Sequence, residues 1–265
     1  MAPFQRKIET NIHILPCGKC PFCFARRISA WSFRLMEEDK ISSSSLFITL
    51  TYDTDNVHIT PRGFMNLDKR DVQLFMKKLR KQNTNTLKYY ACGEYGDKTK
   101  RPHYHIILFN ANLQTIQKNW KHGQIHYGTV SEASVGYTLK YMSKPIKVPL
   151  HQNDDRNKEF SLMSKGIGKS YLTHKMLKWH HADLKERMYC NIKDNKKIAM
   201  PRYYKEKIYN QEQRGELKSH HTEKLTKELE ELAYNPNIRE IMQSRKQSIK
   251  TEFRKLNHSQ SKRQN

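Results

Sequence analysis

The clearest hydrophobic pattern in the chain is Leu46-Phe-Ile-Thr-Leu-Thr-Tyr52, where apolar or β-branched side chains fall on both alternating sets of positions. Such a run predicts an interior strand, with Phe47, Thr49 and Thr51 on one face and Ile48, Leu50 and Tyr52 on the other. The period then changes. Val72, Phe75, Met76 and Leu79 recur at helical spacing, with basic residues opposite and Asp68 placed to cap, so a helix is predicted from 68 to about 80. Two strands follow, Leu87 to Cys92 and Tyr104 to Phe109, the second entered through Pro102. The short basic turn 97–100 between them predicts a hairpin. Trp120, Gly123 and Ile125 to Tyr127 read as helix end, turn and strand. Ser131 then caps a helix predicted to run to Lys144 and stopped by Pro145.

Helical spacing also appears on either side of this block. Phe24 to Leu35 places Trp31 and Leu35 one turn apart. Leu225, Leu229 and Leu232 line one face of a helix over 218–234, Asn235-Pro236 breaks it, and Ile238 to Leu256 resumes before a frayed end from Ser259. There are no internal repeats.

Charge narrows the partners. Lys and Arg number 49 against 26 Asp and Glu, a net charge of +23. An excess of this size repels itself unless it meets a polyanion, and nucleic acid is preferred over an acidic membrane surface. No stretch approaches 18 apolar residues, which argues against a membrane span. The opening MAPFQRKIETN lacks the apolar core of a secretory signal, and five cysteines, an odd number, suggest a reducing cytoplasm.

Three groups of residues carry candidate chemistry. His103 and His105 point the same way from one strand, with Cα atoms roughly 6–7 Å apart. The hairpin returns Glu94 towards them, giving either a two-imidazole, one-carboxylate face suited to Mn²⁺ or Mg²⁺, or a glutamate paired with Lys98 or Arg101. Cys17, Cys20 and Cys23 form a C-x2-C-x2-C run, read either as part of a structural zinc site, with His13, Cys92 or Cys190 completing it through the fold, or as reduced thiols in a turn before a helix. On the 132–144 helix, Tyr137 and Tyr141 share a face, as do Lys140 and Lys144. Tyrosines on a helix commonly pack a core, but lysines are seldom buried beside them.

Taken in order, Glu94, His103-x-His105 and Tyr137-x-x-Lys140 resemble the HUH endonucleases that initiate rolling-circle replication. The fuller set resembles the replication initiators of gokushovirus-type microviruses, small single-stranded DNA phages. That set is Pro16-Cys-x-x-Cys-x-x-Cys23, Phe47 to Tyr52, Gly93-Glu-Tyr-Gly96, Arg101-Pro-His-Tyr-His105 and Tyr137 to Lys144. The likeness is strong over 15–145 and fainter at Phe160 to Gly168 and Pro201 to Tyr204.

The resemblance implies an α+β fold, an antiparallel sheet with helices on one face and RRM-like, plus a helical C-terminal region. The implied division is an initiator domain over 1–205, with the cysteine turn and helix at 15–40 and the catalytic core at 46–145, followed by a charged helical region over 206–265. His103, His105 and Glu94 would hold Mg²⁺ or Mn²⁺, with Zn²⁺ possible at the cysteines. Tyr137 and Tyr141 would be paired nucleophiles, and Lys140 and Lys144 would sit beside the phosphate. The implied reaction is site-specific nicking and rejoining of single-stranded DNA at a phage origin through a 5′-phosphotyrosine link, with host helicase and polymerase as partners, in the host bacterial cytoplasm and away from membranes. Two rivals stay open: a non-catalytic single-strand binder, in which Tyr95 and Tyr104 stack bases or pack the core, and a relaxase or transposase sharing the chemistry.

Overall fold

The structure, a computed structural model, describes residues 4–8, 11–18, 20–96, 98–140, 148–192 and 196–261; the side chains of 4–15, 140, 253 and 255–261 lie outside the description. The chain divides into two compact units, one of residues 1–30 with 171–265 and one of residues 31–170.

The first unit opens with the hairpin β1 (Phe4–Ile8) and β2 (Asn11–Leu15), which the hydrophobic pattern did not announce. The helix α1 (Pro21–Asp39) follows the cysteine turn and crosses from this unit into the second.

The second unit is built on β3 (Ser45–Thr51), a small hairpin of β4 (His58–Ile59) and β5 (Met65–Asn66), and α2 (Lys69–Gln82). It continues through β6 (Lys88–Tyr95), β7 (Pro102–Phe109), α3 (Leu113–Asn119), β8 (Ile125–Thr129), α4 (Glu132–Lys140) and β9 (Phe160–Met163). Five strands form one antiparallel sheet in the order β8-β3-β7-β6-β9. The path β3-α2-β6-β7-α3-β8 is a βαββαβ unit, so the RRM-like α+β fold expected from the sequence is the one observed.

The physical reasons are local. Asp68 caps α2 by accepting from the Arg70 amide at 2.6 Å, as its position predicts. The stripe Val72, Phe75, Met76 and Leu79 is buried against Ile48, Leu50, Tyr104, Ile106 and Leu108 of the sheet. Each such side chain removed from water contributes about 1.5–3 kcal/mol before entropy is counted. The opposite face is also covered in part: Trp31 of α1 packs on Tyr90 with ring centroids 5.1 Å apart, and α4 lies against β7. Helices therefore flank both faces, where the sequence expectation put them on one. Both faces of β3 likewise read as apolar in sequence, yet Phe47, Thr49 and Thr51 are only half-buried. Their face is the one that carries the histidines.

The strand expected to end near Cys92 runs on to Tyr95, so Gly93 lies inside it. A Cβ at Gly93 would sit 2.9 Å from two Phe160 ring atoms and 3.1 Å from the Tyr104 ring. Gly93→Val is accordingly expected to lower stability by about 1–3 kcal/mol, read as a reduced urea midpoint at constant slope.

The remainder of the first unit is α5 (His174–His181), β10 (Tyr189–Asn191) paired with β11 (Lys197–Ala199), α6 (Arg202–Ile208), α7 (Gln211–Ala233) and α8 (Ile238–Ser261). The two long helices break at Asn235-Pro236 as read from the sequence, and α7 begins with a capping box at Asn210 and Gln213. The final helix continues to Ser261, two residues past the expected onset of fraying. Among the described residues no helix is long and apolar enough to cross a membrane.

Candidate metal centre and its tyrosine

Register brings the acid and the imidazoles together. In the β6–β7 ladder Glu94 stands opposite His103 and Cys92 opposite His105; in the β3–β7 ladder Thr51 and Thr49 oppose the same two histidines. With a side-chain period of two, all six point to one face. Glu94 Oε1 lies 2.7 Å from His103 Nε2 and 3.0 Å from His105 Nε2. Glu94 and His105 are buried, while His103 keeps a fifth of its side chain in contact with solvent. The rival partner Arg101 is engaged elsewhere, its guanidinium donating to the Tyr52 carbonyl at 2.8 and 3.2 Å.

The outer nitrogens fix the rings. His103 Nδ1 is 3.2 Å from the Arg101 carbonyl, which can only accept, so Nδ1 carries its hydrogen and the neutral ring turns the Nε2 lone pair to Glu94. His105 Nδ1 is held by Thr49 Oγ1 at 2.9 Å. Two imidazole nitrogens and a carboxylate oxygen thus meet at one point, an arrangement that a shared cation stabilises. Neighbouring oxygen or nitrogen ligands on a cation that binds them at 2.1 Å stand about 3 Å apart, close to the 2.7 and 3.0 Å observed. The donor set fits a small divalent ion. Sequence reasoning found all three donors but missed Thr49 and the Arg101 carbonyl, whose roles depend on cross-strand register.

α4 brings Tyr137 to this face. Its helix is capped where predicted, with Ser131 Oγ accepting from the Ser134 amide at 3.2 Å. Val135, Thr138 and Leu139 are buried, and the Cys92 thiol donates to the Thr138 carbonyl at 3.7 Å, which fastens the helix over β6. The Tyr137 ring stands edge-on to His105 with centroids 5.3 Å apart, and edge-on to Phe47 at 6.4 Å. It is half-buried, not sealed in the core. Lys140 closes the described helix, its side chain outside the description; Tyr141 and Lys144 lie outside the described residues.

Other tyrosines are set apart from Tyr137 by burial. Tyr95 and Tyr104 are sealed in the core, so neither stacks bases, and the core-packing alternative holds for both. Burial pushes the Tyr95 phenol up to about 12 and raises those of Tyr52 and Tyr104 further. These hydroxyls are structural hydrogen-bonding groups.

The cysteine run also converges. Cys17, Cys20 and Cys23 bring their sulfurs within 4.8 Å of one another, with Cys17 and Cys23 at 3.9 Å, and the Cys20 amide donates to Cys17 Sγ at 3.2 Å. Thiolates at about 2.3 Å from a tetrahedral zinc ion stand about 3.8 Å apart, so the spacing suits zinc. Burial raises the Cys20 thiol first of several causes, its two neighbours adding to it. No fourth His, Cys, Asp or Glu joins them among the described residues; the His13 side chain lies outside the description.

An RRM-like sheet with an imidazole pair, an acid and a tyrosine-bearing helix on one face has the make-up of a phage replication protein. Residues 45–146, from β3 past the end of α4, match the family model of replication-associated protein ORF2. The chain is 27 % identical over 212 residues to replication-associated protein VP4 of Bdellovibrio phage phiMH2K, and 29 % identical over 213 residues to replication-associated protein ORF2 of Spiroplasma virus 4. Each match spans 72 % of this chain and 66 % of the relative, just short of two thirds of its length. A further relative, replication-associated protein ORF4 of Chlamydia phage 1, is 23 % identical over 186 residues, 59 % of this chain and 45 % of that one. These matches bear out the resemblance to microvirus-type replication proteins read from the motifs. No solved structure matches the chain.

Proposed function

We propose that this protein initiates rolling-circle replication of a phage genome by nicking and rejoining single-stranded DNA at the origin. The observation that carries the reading is the Tyr137 ring standing 5.3 Å from His105, over the point where Glu94, His103 and His105 converge. In this reading the Tyr137 oxygen loses its proton and attacks a backbone phosphorus. A phosphorus–tyrosine bond forms, the bond to the 3′ oxygen breaks, and that oxygen takes up a proton as a free 3′-OH. Glu94, His103 and His105 are the residues that would hold Mn²⁺ or Mg²⁺. Such a cation, when bound, polarises the scissile phosphate and offsets its developing charge. The β7 strand keeps both imidazoles rigid, and α4 delivers the phenol to them, so geometry supplies much of the rate.

Tyr141 serves as the second nucleophile, cutting the regenerated origin so that the new 3′-OH attacks the first link and closes a circle. Lys140 and Lys144 flank the phosphate and favour the phenolate. Cys17, Cys20 and Cys23 hold a structural zinc ion. The charge of +23 suits a polyanion, with host helicase and polymerase acting in the same host bacterial cytoplasm.

The test uses end-labelled single-stranded oligonucleotides tiled across the phage genome, incubated with the full chain and Mn²⁺ and resolved on a denaturing gel. A protein–DNA adduct dependent on Mn²⁺ and lost with chelator is the expected result. DNA that binds, with a salt slope near −0.7 per phosphate neutralised, yet never forms an adduct would point to the non-catalytic binder instead.

A further inference from the structure

On the sheet face opposite Glu94, His103 and His105, four ionisable side chains gather from three parts of the chain. His58, on β4, brings Nε2 to 2.7 Å from Asp71 Oδ2 and 3.7 Å from Asp68 Oδ2. His122, in the turn before β8, brings Nε2 to 4.0 Å from Asp71 Oδ1. Asp68 gives one oxygen to the cap of α2 and faces His58 with the other. Asp71 is 8 % exposed and accepts from the Tyr52 hydroxyl at 2.5 Å. Among the described residues the ion-pair partners of these two carboxylates are imidazoles, with no lysine or arginine, in a chain of net charge +23. Two carboxylates beside two neutral imidazoles leave a local excess of negative charge that partial burial makes costly.

We propose that His58, Asp68, Asp71 and His122 form a second divalent-cation site, of zinc type. Two imidazole nitrogens and two carboxylate oxygens are a donor set zinc accepts, and tetrahedral donors at 2.0–2.1 Å stand about 3.3 Å apart, within the observed spread of 2.7 to 4.0 Å. The imidazoles are accessible, at 43 % and 38 % exposure, so an ion can enter. They are also steadied: His122 packs on Trp120 at 4.9 Å, and both rings lie against Tyr52, at 5.7 and 6.0 Å. The carboxylates have outer partners too. Tyr52 holds Asp71, its hydroxyl is 2.7 Å from that of Tyr104, and the Tyr104 hydroxyl binds both the amide and the carbonyl of Asp68. Tyr104 stands between His103 and His105 in β7. The site's role is structural: it bolts the start of α2 and the β4 arm to the back of the strand whose front carries the imidazole pair.

The test titrates chelator-stripped full-length protein with Zn²⁺ at neutral pH, following histidine ring ¹⁵N shifts by NMR and zinc per chain by elemental analysis. The ring nitrogens of His58 and His122 are expected to shift on zinc addition. His58→Gln with His122→Gln should bind one zinc fewer than the wild type, whereas Glu94→Gln with His103→Gln should leave that zinc in place. His58 and His122 signals that stay still while zinc binds elsewhere would overturn the proposal. So would an unchanged zinc count in a folded His58→Gln, His122→Gln protein. The NMR arm uses the unaltered chain, so a variant that fails to fold leaves the result decisive.

Discussion

Tyr137→Phe is expected to lower the rate of covalent adduct formation on single-stranded DNA by on the order of 10³-fold or more, with DNA affinity kept within a few-fold. The substitution removes one oxygen and keeps the ring. The edge-on contacts to His105 at 5.3 Å and Phe47 at 6.4 Å therefore survive, and with them the packing of α4. That makes the change discriminating. A tyrosine present for packing alone would be replaced by phenylalanine at little cost, whereas a nucleophile loses its reacting atom. Tyr141→Phe, assayed alongside, separates the order of use, and the double variant should form no adduct. A wild-type rate in Tyr137→Phe together with loss in Tyr141→Phe would hand the first cleavage to Tyr141; full activity in the double variant would place the nucleophile elsewhere.

The second large effect is expected at the imidazole pair. His103→Ala with His105→Ala should weaken Mn²⁺ binding by at least about 100-fold in calorimetric titration and reduce nicking in step. Thr49→Val provides the graded control. It deletes the hydroxyl 2.9 Å from His105 Nδ1 while leaving Glu94, His103 and His105 intact, and an outer partner of this kind is worth about 10-fold or more in metal affinity. The expected order is wild type, then Thr49→Val, then the double alanine variant. Mn²⁺ affinity unchanged in the double alanine variant would remove this cluster as the metal centre and leave its contacts as hydrogen bonds only.

Much of this site was legible before any coordinates, because strand periodicity is short and rigid. His103 and His105 are two apart, so any strand puts them on one side, and a hairpin through 97–100 has few ways to return Glu94 other than beside them. The capped stripe of α2 and the cap of α4 were equally plain, since each rests on contacts within a few residues. Less was legible where burial depends on distant partners. Tyr95, Tyr104 and Tyr137 look alike in sequence; two are sealed under α2 with raised phenols, and the third stands at the histidine face. Gly93 reads as a strand end but sits inside β6, because the missing Cβ admits the Phe160 ring from β9, a strand far along the chain.

The sequence by itself determined the period of each element, the pairing of acid with imidazoles across one turn, and the charge that calls for a polyanion. These depend on local backbone geometry and on composition. Only the tertiary structure decided which face each group occupies, how Thr49 and the Arg101 carbonyl orient the two rings, and that His58 and His122 meet two aspartates behind the same strand. Those outcomes depend on register between strands distant in the chain, where a slip of one residue would turn every side chain to the other side of the sheet.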